Sequence, residues 1–454
     1  MAHLDAILNT VRNDLTSPAA VEKLMQYMWQ HKLQITPRMS TVDGRTIQVI
    51  DPGRLNTDSG PDFFNAKIKI DGRVWVGNVE IHVRASDWFR HGHDKDRAYD
   101  SVILHVVGVS DRGIRLHDGR VLPQLLLPCN PDFASQYTRM ISCSGGEAVP
   151  CKKALSKLDR LHVADWLGTM GFERLHMKVD RILDLLDNLS GDWEEAAYIT
   201  IARGLGFNTN SEPFERLARS MPLRYLRKHA DFQLIIEAML LGQSGLLDDA
   251  PADNIYASRL LSEYRFMAVK FELHRPDIQW KMSRMRPANL PHRRIALLAR
   301  LLTSRNSLLS DILAIETADQ AAEFFNRPLD GYWRHAYTFN CVKGDEANTP
   351  VALSRTSVNT LMINVVAPLM YAWGQVSGNH RYMDRAVSLL ESLPAEHNKY
   401  TLIFEHAGIN IKNALESQAL IQVKRSYCDA GKCLYCRVGH RMLSNAARYK
   451  PFHP

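Results

Sequence analysis

Residues 60–82 read GPDFFNAKIKIDGRVWVGNVEIH, with Asp62 directly after a proline and Glu80 two positions before His82. Two carboxylates on one wall can hold a divalent cation that polarises a phosphate and activates water. Oxygen ligands suit magnesium or manganese. On a strand Glu80 and His82 share a face, and Ile81 between them offers its carbonyl oxygen as a further ligand. The following SDWFRHGHDKD adds His91 and His93 beside Asp94 and Asp96. His105 falls on the next apparent strand, on the face opposite Val102, Leu104 and Val106. A second chemistry follows from these residues, in which zinc or iron is held by His82, His91 or His93 together with Glu80. The plainer reading is a solvated HGHDKD loop, with Ser86-Asp87 capping a short helix.

Near the C-terminus YCDAGKCLYCRVGHR sets Cys428, Cys433 and Cys436 in C-x4-C-x2-C spacing, with His440 after them. Two thiolates three positions apart on a turn grip one ion, and a third with a histidine completes a tetrahedron, so a Cys3His zinc knuckle is expected. An iron–sulfur cluster with Cys341 as fourth ligand is the alternative. Reduced cysteines in a tail helix are the plain one. A third set of residues lies in WKMSRMRPANLPHRR, where Lys281, Arg284, Arg286, Arg293 and Arg294 accompany Trp280. Arginine grips phosphate bidentately and an aromatic beside it can stack on a base, which is the chemistry of a nucleic-acid groove. Pro287, Asn289 and Pro291 break the helix there and would present the arginines on a turn. Tying helix ends together is the structural alternative.

These residues need elements to place them. VEKLMQYMWQHKL spaces Val21, Leu24, Met25, Met28 and Trp29 as one face of a helix that also bears Glu22. RTIQVI, FNAKIKI, RVWVGNVEIHV, SVILHVVGV and VLPQLLL are short β-branched runs separated by DG, DRG and HDGR, which read as strands and turns. Asp71-Gly72 is a two-residue hairpin turn, and regular pairing from it sets Asp62 opposite Ile81, on the wrong face. A bulge at Gly77 would move Asp62 opposite His82 and bring both carboxylates to one side. Beyond PCNPDFASQYTRMISCSGGEAVPCKK, a linker rich in Pro, Gly, Ser and Cys, the pattern is helical. The organisation expected is an α/β or α+β domain with a central mixed sheet over 1–150, a mainly helical domain over 151–420 and a Cys-rich basic segment over 421–454.

The helix with Glu22, the Pro-Asp at a strand start and the Glu-x-basic step on the next strand resemble the PD-(D/E)XK nuclease superfamily. That resemblance implies two metal-binding acids, Asp62 and Glu80, with His82 where a lysine usually assists, and hydrolysis of a phosphodiester in DNA or RNA. Histidine can orient or deprotonate water but lacks a fixed charge. More of the chain is similar to a bacterial family known as domain of unknown function 2851, through its GPDF, GNVEIH, SDW, HxHxxD and LHVV segments.

The bulk numbers bound these readings. A chain of 454 residues is long enough for two or three domains, and 45% apolar with 23% charged residues is ordinary for a globular protein. No apolar run is long enough to span a membrane, the N-terminus lacks a secretory pattern, and the odd count of seven cysteines suits a reducing compartment, so a cytoplasmic location is expected. The net charge of +7 gathers in two stretches, 256–306 and 411–454, which fits a polyanionic partner. The leading expectation is a magnesium- or manganese-dependent nuclease with Asp62, Glu80, His82 and Glu22 as its catalytic groups. The alternatives are a non-catalytic nucleic-acid-binding or scaffold protein, and a histidine-ligated metal hydrolase or oxygenase acting on a small molecule.

Overall fold

The structure, a computed structural model, describes residues 18–448 apart from 34, 36–38, 57, 128–134, 136, 138, 141–148, 150, 304–306, 330 and 343–352. The side chains of 18, 341, 342 and 444–448 also lie outside the described set, and with them the alternative ligand Cys341. The chain divides into two compact units. The first comprises 1–166, 399–410 and 423–454; the second comprises 167–398 and 411–422. The Cys-rich segment expected to stand alone therefore belongs to the N-terminal unit. Leu434 and Leu443 share that unit's core, so their apolar surface is buried there.

The first unit is a mixed sheet with a helix against it. Helix α1 (Pro18–Gln30) buries Leu24, Met25, Met28 and Trp29, the stripe that its spacing requires. The strands are β1 (Met39–Ser40), β2 (Thr46–Asp51), β3 (Arg54–Leu55), β4 (Phe63–Ile70), β5 (Arg73–Arg84), β6 (Val102–Val109) and β7 (Gln124–Leu126). Their order is β1-β2-β4-β5-β6-β7, with β3 on the end of β4. Strands β2, β4 and β5 run antiparallel, whereas β5–β6 and β6–β7 are parallel. A parallel step needs a crossover, and the chain between β5 and β6 supplies it with helix α2 (Asp87–Arg90) and two 3-10 turns.

The β4–β5 turn is as expected: Asp71 and Gly72 both have positive φ, at 46° and 84°, the signature of a type I′ hairpin. The bulge lies elsewhere. Pairing is regular from Ile70↔Arg73 to Ala66↔Gly77 and then jumps to Phe63↔Val79, so the extra residue is on β4. Asn65 absorbs it with a left-handed φ of 58°, and its N–H is held by the Asn78 side chain at 3.2 Å. The expectation of a bulge at Gly77 that pairs Asp62 with His82 is thus corrected: the shift has the opposite sense and sets Asp62 beside Glu80. Gly77 has a different reason to be glycine. A Cβ there would stand 2.4 Å from Ile103 Cγ2 and 2.8 Å from the Ser101 carbonyl, where β6 begins.

The second unit is almost wholly helical around its own apolar core, with one small hairpin of β8 (Ala336–Thr338) and β9 (Cys341–Val342). Among the described residues no helix is long and apolar enough to cross a membrane.

Gly77→Ala forces the start of β6 away from β5 and is expected to destabilise the first unit by about 1–3 kcal/mol, as overpacking of a tight site does. Urea unfolding measures it, and an unchanged midpoint would contradict the close approach.

Candidate metal centre

Strand alternation and the bulge together build one wall of the site. Glu80 and His82 project from the same face of β5 and are 4% and 1% exposed, while Ile81 between them is in the core. Asp62 and Glu80 are locked by two crossed hydrogen bonds. Glu80 Oε2 accepts the Asp62 N–H at 3.0 Å, and Asp62 Oδ2 accepts the Ile81 N–H at 3.0 Å. Gln26 of α1 donates to the other Asp62 oxygen at 2.8 Å. Ile81, expected to lend a carbonyl, thus serves the site through its N–H.

The crossover after β5 builds the opposite wall. Asp87 accepts the Arg84 N–H at 3.1 Å and pairs with Arg90 at 3.1 Å, which anchors α2. Ser86 does not cap that helix: its N–H and hydroxyl both donate to Asp111, at 2.8 and 2.7 Å. Gly92, with φ of 76°, turns the chain after α2 so that the exposed His91 and the half-buried His93 both reach His82. HGHDKD is solvated only in part: His91, Lys95 and Asp96 are exposed, whereas the His93 side chain is 11% exposed. Asp96 is spent on the Ala98 N–H at 2.9 Å.

The result is a convergence of imidazoles on a carboxylate. Ligand atoms of His82, His91 and His93 all lie within 4.8 Å of one another. His82 Nε2 stands 3.0 Å from His91 Nδ1, and Glu80 Oε1 stands 3.1 Å from His93 Nε2 and 3.6 Å from His82 Nε2. Behind them the fully buried His105 places Nε2 2.9 Å from His82 Nδ1. Tyr99 stacks on His93 with centroids 3.8 Å apart, and Trp88 meets it edge-on at 5.4 Å.

Burial governs the protonation of this cluster. It raises Glu80 to about 8 and Asp62 to about 7, with the Glu80 carboxyl adding to the rise at Asp62. Glu22 reaches about 7 through burial and the nearby Asp62 and Asp87. Burial, with His105 and His93 alongside, drives His82 down to about 2, and His105 falls to about 3. His91 and His93 are lowered by burial as well. Among the described residues no lysine or arginine pairs with Asp62 or Glu80. A divalent cation resolves both halves of this conflict, because it stabilises carboxylates and takes the lone pairs of neutral imidazoles. Three imidazole nitrogens, with the Glu80 carboxylate beside two of them, would suit zinc, iron or manganese better than magnesium, which prefers all-oxygen shells. With an ion held there, His105 would be the outer partner that orients His82.

Four free cysteines of the first unit form a second group: Cys151, Cys428, Cys433 and Cys436. The Cys151 thiol is pushed up by burial and by Cys436, Cys428 and Cys433 beside it, and burial lifts Cys428 to about 12 and Cys433 to about 11. Cys436 accepts the backbone N–H groups of Val438 and Gly439. His440, expected as the fourth ligand, instead packs its ring 4.5 Å from His31, with Nδ1 on the Tyr27 hydroxyl. The four sulfurs do not draw as close as the histidine group, which is the one set of potential ligands within 4.8 Å among the described residues.

In the second unit the basic residues divide. Lys281, Arg284 and Arg286 are exposed, but Arg293 and Arg294 are buried in the first turn of the Pro291–Leu302 helix. They do not sit together on an exposed turn. Trp280 is no stacking platform either, since its ring packs on Phe214 and its Nε1 donates to the Ser244 carbonyl at 2.9 Å.

The sequence profile of a family described as "Protein of unknown function (DUF2851)" matches residues 22–399. The chain belongs to that family. No curated protein and no solved structure matches it. The matched span of this DUF2851 protein includes Glu22, Asp62, Glu80 and all four histidines of the cluster, and of the cysteine group only Cys151.

Metal-free protein is expected to take up zinc or manganese at the histidines, with affinity strengthening as pH rises toward 8 because the Glu80 proton must leave. A His91→Ala/His93→Ala variant should lose that uptake by calorimetry while keeping its unfolding midpoint. Equal uptake by parent and variant would refute the assignment.

Proposed function

We propose that the chain is a metal-dependent hydrolase of phosphodiesters in DNA or RNA, with its ion held by Glu80, His82, His91 and His93. The observation that carries this reading is the approach of His91 to His82 and of His93 to Glu80, beside two further acids. When bound, the ion supplies Lewis-acid polarisation of the phosphate and lowers the pKa of a water. Asp62, fixed by Gln26 and the Ile81 N–H, would orient the attacking water. Glu22, raised to about 7, can take or return a proton near neutral pH. The phosphodiester assignment rests on the PD-(D/E)XK resemblance, which the proximity of Glu22, Asp62 and Glu80 supports. His82 cannot supply the positive charge of the usual lysine, being buried and neutral. Arg90, 61% exposed although paired with Asp87, and close enough to act on Glu22, His82 and His91, is the cation we assign to a substrate phosphate.

The nitrogen-rich shell favours a second reading, a histidine-ligated metal hydrolase or oxygenase acting on a small molecule. The four thiols are read as a second, structural metal site, a tetrathiolate zinc with Cys151 in place of His440, or an iron–sulfur cluster.

Manganese- or zinc-loaded protein is expected to cleave labelled single-stranded or duplex DNA or RNA. Asp62→Asn and Glu80→Gln should each lower the rate by about a hundredfold or more, the scale of losing an electrostatic group at a reacting centre. Salt-dependent binding without cleavage would point to a non-catalytic nucleic-acid protein. Oxygen consumption by the iron form, with no affinity for nucleic acid, would favour the small-molecule enzyme.

A further inference from the structure

The second unit contains a cavity of about 220 Å³ whose polar lining is Arg286, Asn289, Arg293, Arg294, Ser354 and Ser357, completed by three leucines and an alanine. Among the described residues no carboxylate lines it. Arg293 and Arg294 are 3% and 5% exposed, in the first turn of the Pro291–Leu302 helix. That is the wrong end for cations, because the unpaired N–H groups of a helix start already carry positive partial charge. A guanidinium buried without an acid, as Arg294 is among the described residues, is costly as well. Arg294 forms no ion pair among the described residues: it donates to Asn289, lies 4.7 Å from the centre of the Phe207 ring, and leaves its buried Nε without a partner. Its pKa is lowered to about 10 by burial and by Arg293.

We propose that this cavity is a binding site for the phosphate group of a ligand. The uncompensated cation, the helix start and the polar lining all call for an anion. Three guanidinium groups, an amide and two hydroxyls offer more donors than a planar carboxylate can accept, and suit a tetrahedral oxyanion. The cavity is smaller than the roughly 300–1,000 Å³ typical of drug-sized ligands, so it takes the phosphate and only a small part of what bears it. The bearer is either a small phosphomonoester or the phosphorylated end of a nucleic-acid strand. The proposal is independent of the metal-centre reading.

The test is calorimetric and thermal titration of the full chain with inorganic phosphate, glycerol 3-phosphate, and one oligonucleotide with and without a 5′-phosphate, at constant ionic strength in chloride. Saturable binding of phosphate is expected. Glycerol 3-phosphate binding more tightly than phosphate identifies a small ligand, and a preference for the 5′-phosphorylated strand identifies a nucleic-acid end. Arg286→Ala changes an exposed residue and should leave the fold intact while weakening binding by about tenfold, as loss of a charge-assisted contact does. Arg294→Met should abolish binding and raise the unfolding midpoint in chloride, since it removes a buried charge. Absence of phosphate binding in the parent, or equal binding in parent and Arg286→Ala, would overturn the proposal whatever Arg294→Met does to folding.

Discussion

The crossed pair of hydrogen bonds between the start of β4 and the end of β5 is the constraint on which the first unit's site depends. Asp62 offers its N–H to Glu80 and its carboxylate to the Ile81 N–H, so each acid fixes the other's strand. The pair exists only because Asn65 absorbs one residue in β4. Without that bulge Asp62 would face Ile81 across the hairpin, and a side-chain period of two would put the acids on opposite faces. The separate parallel register of β5 and β6 sets Glu80 beside His105, and so brings the deepest histidine behind His82.

Holding this arrangement without a cation is unfavourable. Desolvation opposes the charge of three carboxyls and four imidazoles gathered in one place, and no lysine or arginine among the described residues neutralises Asp62 or Glu80. A fold that keeps such a cluster gives up stability for something else, which is the usual physical mark of a functional site. The arginine cavity of the second unit follows the same logic with the opposite sign.

Much of this was legible in the sequence because local rules were obeyed. Period-two runs gave β2, β4, β5 and β6, the helical stripe of Val21 to Trp29 gave α1, and Asp71-Gly72 gave its turn. Glu22, Asp62, Glu80, His82, His91 and His93 were all visible as candidates. Asn65 was not. A left-handed asparagine within an alternating run has no sequence mark that separates it from an exposed strand residue, whereas Gly77 looked like a bulge and instead makes room for β6. Gln26, Trp88 and Tyr99 were missed because an amide or aromatic on an amphipathic segment is ordinarily packing. Cys151 reads as linker in the sequence, since the other cysteines of its group lie far along the chain at Cys428 to Cys436. His440 matched a ligand spacing, yet Tyr27 and His31 hold its ring. The basic stretch misled for a related reason: charge count does not reveal that Arg293 and Arg294 turn inward.

Cadmium-113 NMR of protein loaded with cadmium reports directly on the atoms around each ion and separates nitrogen–oxygen shells from thiolate shells. A resonance in the nitrogen–oxygen range that disappears in His93→Ala is the result expected of a centre built from Glu80, His82, His91 and His93. A spectrum with thiolate-type signal only, or a nitrogen–oxygen resonance unchanged in that variant, would contradict it.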